Sequence, residues 1–237
     1  MHTVVVRRFA LVALSLCVAL IAAAAALAGP NDPQLHKRAA DVRLAKTLIL
    51  KHSDLPAGFV DKGPQKNSGP TPDVGCRQPN LHALVMTADV SSHKFVREHP
   101  GAYAETASEA SFFRSATQAR KAVSAVTNKK MGSCLKRAFI KSATKSSHGT
   151  LKVVSARVTP ISESVVDLRI KLWDILVAFK VNGRLFHDEL VLAYFRRSRV
   201  VSSLMVNSLN GLTENESKSI SEKMTFRLES LPKPAVS

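Results

Sequence analysis

From Leu151 onward the apolar residues of this chain repeat at every second position. Val166, Leu168, Ile170 and Leu172 alternate with Val165, Asp167, Arg169 and Lys171, the pattern of a strand with one face on a core and the other toward water. "VNGR" (Val181 to Arg184) then supplies a two-residue hairpin, because Asn-Gly tolerates the positive φ that so tight a turn demands. Leu185 to Phe195 reads as the next strand, apolar on both faces at its end and therefore central. "RRSR" turns the chain into a further strand from Val200 to Asn207. Consecutive strands joined by such short links form an antiparallel meander.

Helices flank that meander. Ala39 to His52 carries Val42, Ala45, Leu48 and Ile49 on one stripe. "SDLPAGF" (Ser53 to Phe59) ends it, with Pro56 barring continuation and Phe59 docking as an apolar anchor. Asp61 to Cys76 holds three Gly and three Pro and reads as a long surface loop. Tyr103 to Arg114 reads as a strand. "SATQ" at Ser115 is a capping box, with Gln118 reaching back, for a helix that buries Ala119, Ala122, Val123 and Val126 and stops at Gly132. A second helix, Ser133 to about Lys145, buries Leu135, Ala138 and Phe139. "TENE" (Thr213 to Glu216) is another capping box, before a stripe of Ile220, Met224, Leu228 and Leu231. No strand–helix alternation of βαβ length occurs, which excludes a parallel nucleotide-binding sheet. The expected class is α+β: an antiparallel sheet with helices packed on it.

The N-terminus points to export. Arg7 and Arg8 precede an uncharged apolar run from Phe9 to Ala28, and Ala26-Leu27-Ala28 fits the small-x-small site of a signal peptidase. The run is also long enough to span a bilayer, so an uncleaved anchor is the alternative. With cleavage, Cys17 leaves with the leader (1–28). A lead-in (29–38), a single domain (39–231) and a short tail (232–237) remain, outside the cell or on the outer face of its membrane.

Cys134 sits in "KKMGSCLKRAFIK" among five cationic side chains and no acid. A helix starting there, capped by Ser133 beside Lys136 and Arg137, would activate its thiol. Such a helix would also suit a polyanion. The third reading is a disulfide: Cys76 and Cys134 are the two cysteines of the mature chain, and oxidising compartments preserve bridges. Compartment and parity favour that bridge, worth about 4 kcal/mol for a loop of this length.

Charge is the unusual feature. The formal net charge is +16, of which the leader takes only Arg7 and Arg8. Between Glu109 and Glu163 lie eleven basic residues and no acid. Arg120, Lys121, Lys129, Lys130, Lys136, Arg137, Lys141 and Lys145 are the candidate anion-binding residues. Arg137, Lys141 and Lys145 fall at i, i+4 and i+8 of one helix, where like charges repel. A solvated face is one reading; attraction to anionic envelope polymers or lipid head groups is the other. Export and the scarcity of aromatics among these cations disfavour nucleic acid.

Catalytic signatures are missing. There is no Gly-rich phosphate loop, Gly-x-Ser-x-Gly or His-Glu-x-x-His, and no cofactor motif. His82, His93 and His99 lie near Asp89 and Glu98 in an irregular segment, at spacings matching no common zinc template. A secreted hydrolase working around Trp173 and His187 is the alternative to a non-enzymatic binding domain.

The leader, "DLPAGF" after a helix, Cys76, "SATQA" and "CL" at Cys134 and Leu135 together resemble the secreted or membrane-tethered sensor-like domains of actinobacteria. Over roughly Ala39 to Leu231 the chain is similar to the extracellular ligand-sensing domain of a mycobacterial Ser/Thr kinase, and more distantly to the Mog1/PsbP-like α/β/α sandwich. The resemblance implies a binding fold with a cleft and no catalytic residues. Phe59 departs from the Trp such turns often carry, and there is no second cysteine pair.

Overall fold

A computed structural model describes residues 31–65, 79–146, 151–165, 167–181 and 183–232. Its strands are β1 (Gln34–Leu35), β2 (Val60–Pro64), β3 (Val85–Ser91), β4 (His93–His99), β5 (Ala102–Phe113), β6 (Leu151–Val165), β7 (Leu168–Val181), β8 (Arg184–Arg197) and β9 (Val200–Leu209). Among the described residues they form one sheet in the order β1–β3–β5–β9–β8–β7–β6, with β4 beside β5 and β2 beside β4. The meander runs β6 to β9 side by side in chain order. The sheet is mixed, however, because β1 pairs with β3 in parallel.

The segment read as irregular around His82, His93 and His99 holds β3 and β4. Its alternation is hidden because polar residues are buried there on long-range hydrogen bonds. Ser92, where β3 bends into β4, donates its N–H to Ser108 O at 2.8 Å and accepts from Ser108 N on its Oγ at 2.9 Å. Thr87 donates to Asp41 Oδ2 at 2.5 Å.

The β7–β8 register is unbroken from Leu168 opposite Arg197 to Val181 opposite Arg184. Gly183, at φ 80°, makes the tight turn. Since successive side chains take opposite faces, this register decides what each face carries.

Among the described residues four α-helices cover both faces. α1 (Ala39–Leu48) and α4 (Glu214–Glu229) lie on one, where Ala45, Leu48, Ile220, Met224 and Leu228 are buried with Phe95, Phe112, Phe195 and Leu204. α2 (Ala116–Val126) and α3 (Lys129–Ser146) lie on the other. Ala119, Ala122 and Val123 of α2 bury Phe113 and Val201, and Leu135 of α3 covers Trp173, Ile175, Leu192 and Met205. Each large side chain so buried contributes about 2 kcal/mol.

Ion pairs pin the α1–α4 layer. Arg199 grips both oxygens of Asp41 at 2.6 and 2.9 Å. Arg97 holds Glu216 at 2.7 and 3.0 Å, and Arg227 holds Asp54 at 2.6 and 2.7 Å. The capping box at Thr213 and Glu216 is complete.

Two helix signals work differently from expectation. Ser115 Oγ accepts from Gln118 N at 3.3 Å, but the Gln118 side chain does not reach back: its Oε1 accepts from Val85 N at 3.1 Å. Gly132 is not a stop. α2 ends at Val126, Asn128 Oδ1 caps α3 by accepting from Met131 N at 3.0 Å, and Gly132 lies inside α3 against Trp173. Cys134 is therefore no helix N-terminus, and the activated-thiolate reading loses its physical basis.

Candidate functional site

Between α2 and α3 a polar row crosses the sheet. Lys171 on β7 faces Tyr194 on β8, which faces Ser203 on β9, which faces Glu109 on β5. The neighbouring row, Trp173, Leu192, Met205 and Ala107, is apolar. The rows are exposed unequally because α3 covers the apolar one and α2 packs beyond the other. A shallow depression open to solvent lies over the middle of this floor, lined by Gln65, Glu109, Leu192, Tyr194, Ser203 and Met205 among others.

The two ends of the polar row differ in charge. At the β5 end Ser111 Oγ lies 2.9 Å from Asp89 Oδ1 and 3.2 Å from Glu109 Oε1. Burial, then the Asp89 charge, pushes the Glu109 carboxyl well above the usual range. Burial and Glu109 push the Tyr194 phenol up to about 12, leaving a neutral hydroxyl at the centre of the floor.

At the β7 end the charges are positive. Arg169 and Arg196 are direct cross-strand partners. Burial, followed by the Arg169 and Arg120 charges, holds the Arg196 guanidinium below the usual arginine range. Arg196 went unnoticed because "RRSR" reads as a turn, and Arg169 and Lys171 because they read as a wet face. The hairpin signal could have found the pairing: a two-residue turn between Val181 and Arg184 sets Arg169 opposite Arg196 without further information.

Of the eight basic residues expected to bind anions, Arg120 and Lys121 are exposed on α2. Lys129, Lys130, Lys136, Arg137 and Lys141 are exposed on α3, opposite its buried side at Cys134, Leu135 and Ala138. Lys145 falls in α3, but its side chain lies outside the described residues. None of those seven makes an ion pair with a described residue. Cys134 is buried on the sheet side of α3; Cys76 lies outside the described residues, as do the leader and the tail beyond Pro232. Among the described residues no helix is long and apolar enough to cross a membrane.

The hydrolase alternative does not assemble. Trp173 is buried under α3 and donates from Nε1 to Val126 O at 3.2 Å. His187 is exposed on β8 with the side-chain parity of Ala193 and Phe195, which places it on the α1–α4 face. The two residues point away from each other. His93 pairs with Asp61 at 2.7 Å, and no group of three potential metal ligands occurs among the described residues.

No family model and no characterised protein matches the chain. Among solved structures it is similar to the extracellular domain of PknH from Mycobacterium tuberculosis, at 12% identity over 80% of this chain and 97% of that one, with a TM-score of 0.35. At that TM-score the likeness carries no argument about this chain's fold or function.

Proposed function

We propose that this chain is an exported, non-enzymatic binding domain of the cell envelope, sensor-like in type, whose α2–α3 layer attracts anionic polymers or lipid head groups. The observation that supports this is the segregation of charge between the helical layers. Asp41, Asp54 and Glu216 are taken up in ion pairs on the α1–α4 side, while the exposed cations of α2 and α3 have no described carboxylate partner. Unpaired like charges on one layer raise a positive potential that concentrates anions near it. Keeping Arg137 and Lys141 one turn apart costs a few tenths of a kcal/mol, a cost that anion binding offsets. The Cys76–Cys134 bridge belongs to the same proposal: it would tie the segment before β3 to the buried side of α3.

Sedimentation with vesicles tests it. The mature protein is expected to pellet with phosphatidylglycerol vesicles at low salt and not with phosphatidylcholine. Raising salt to a few tenths molar, where the Debye length falls well below 10 Å, should release it. Replacing Lys129, Lys130, Lys136 and Arg137 together by Gln should weaken binding by more than tenfold, at about 1 kcal/mol per charge. Binding absent at low salt, or indifferent to added salt, refutes the reading.

A further inference from the structure

The sheet ends differently at its two edges. One closes on short strands, β1 of two residues and β2 of five, a usual guard against pairing with another chain. The other ends in β6, which is 15 residues long. Among the described residues β6 pairs only with β7, and no backbone hydrogen bond from outside that ladder reaches it. Pro160 has no N–H to give the ladder, so its nitrogen lies on the outer side. Val158, two residues back, turns its N–H outward with it. Three large apolar side chains, Val154, Ile161 and Val165, are exposed on β6, against at most one on any other described element. Lys152 and Glu163 are exposed near its two ends, and neither has an ion pair with a described residue. A register shift between Val153 and Ser155 puts both on one face, since their β7 partners, Lys180 and Ile170, are ten residues apart. Val158, opposite Ile175, lies midway, five β7 residues from each partner.

We propose that β6 is a dimerisation strand: two copies of this chain pair through it, antiparallel, about a twofold axis at Val158, and join their sheets into one. An axis there sets Val158 opposite its own copy and Lys152 of each chain opposite Glu163 of the other. Rotation about an axis normal to the sheet preserves its faces, so each charged pair meets on one face, directly across the strands, where opposite charges attract. Neighbouring registers do worse. An axis at Arg157 sets arginine against arginine, and one at Pro160 leaves the central pair without either N–H donor. In the Val158 register Pro160 faces Ala156 and withholds one donor per copy from a paired stretch roughly 40 Å long. A second copy is the occupant because the charge pattern is complementary to itself under the twofold, as a closed symmetric dimer requires. The same rotation leaves α3 of both copies on one face of the joined sheet. The inference goes beyond the anionic-ligand reading and does not rest on it.

Sedimentation equilibrium of the mature protein tests the pairing, and single cysteines test its register. A monomer–dimer equilibrium is expected. Glu163→Lys, which turns both attractions into repulsions, should weaken the dimer by about tenfold or more, and adding Lys152→Glu should restore it. Both positions are exposed, so a thermal melt should show the variants folded. Under mild oxidation Val158→Cys should give a covalent dimer, because residues opposite each other in such a pair have Cα atoms about 5.5 Å apart, within disulfide reach. Ala156→Cys should not, since its twin lies roughly 13 Å away along the strand; the wild type controls for its own cysteines. Hydrogen exchange at the Val158 amide should be slow in the dimer and fast on dilution. A monomer at concentrations up to about 0.1 mM, or equal cross-linking at 156 and 158, overturns the proposal. Slow exchange at Val158 in a monomer also overturns it, and means that another segment of the same chain covers the edge. Vesicle binding by the monomeric Glu163→Lys variant leaves the surface reading standing by itself; a dimer that ignores vesicles leaves only the pairing.

Discussion

Gly132 and Trp173 touch so closely that a Cβ on Gly132 would lie 2.6 Å from two indole carbons. In an exposed helix, replacing Gly by Ala stabilises by roughly 1 kcal/mol. Here the buried ring has no room to retreat, because its Nε1 is tied to Val126 O. Gly132→Ala is therefore expected to destabilise the fold by about 1–3 kcal/mol, read as a lower urea midpoint with an unchanged slope. A raised midpoint would show that α3 does not pack on the indole as described.

The Asp41–Arg199 pair joins α1 to the turn between β8 and β9. Hydrogen bonds from Arg199 hold the Asp41 carboxyl below its ordinary range against the opposing effect of burial. A depressed carboxyl means that the folded state binds fewer protons than the unfolded one. The pair's contribution is thus complete above the unfolded value near pH 4 and is lost as pH falls through the folded one. Asp41→Asn is expected to cost about 2–3 kcal/mol at pH 7, less than a fully buried pair because Arg199 is 34% exposed. The deficit should shrink below pH 4, and a pH-independent deficit would rule out this origin.

Local chemistry decided which parts of the fold could be read from sequence. The β7–β8 hairpin was legible because its turn and its alternation are written within a few residues, and the Thr213 box because its two members are three apart. β3 and β4 were not, since Thr87 and Ser92 look like loop residues until Asp41 and Ser108 arrive to satisfy them. Gly132 was misread because its reason for being glycine is Trp173, distant in sequence and adjacent only after folding. In the site, the exposed cations of α2 and α3 were visible as composition. Arg196 was not, because a half-buried arginine is defined by what surrounds it.

The bridge proposed for Cys134 has a direct chemical readout. Mature protein unfolded without reductant is expected to show no reactive thiol, and two after reduction. Reduction should lower stability by up to about 4 kcal/mol, seen as a fall in Tm that Cys134→Ser reproduces and reduction does not deepen. Two thiols reacting without reductant would eliminate the bridge.

Asp188 contributes with the opposite sign to Asp41. Its side chain is buried on β8, 4% exposed, and with the Asn207 amide turned to donate, Oδ1 accepts a bond of 3.1 Å. Burial, then the neighbouring Glu189 charge, pushes this carboxyl up to about 8. Between roughly pH 4, where the unfolded chain loses this proton, and pH 8, the folded state holds a proton that the unfolded state has released. Stability from this group therefore falls as pH rises across that window and levels off above it. Asp188→Asn keeps an acceptor for Asn207 and cannot ionise. The variant is expected to match the wild type near pH 4 and to gain on it steadily up to pH 8, in unfolding free energies taken at half-unit steps. Taking the difference between the two proteins cancels the titrating groups that do not interact with Asp188; Glu189, whose charge acts on Asp188, is the group that does not cancel. Parallel profiles would mean that Asp188 is already ionised in the folded protein, with a cation or water beside it that its packing on β8 does not provide.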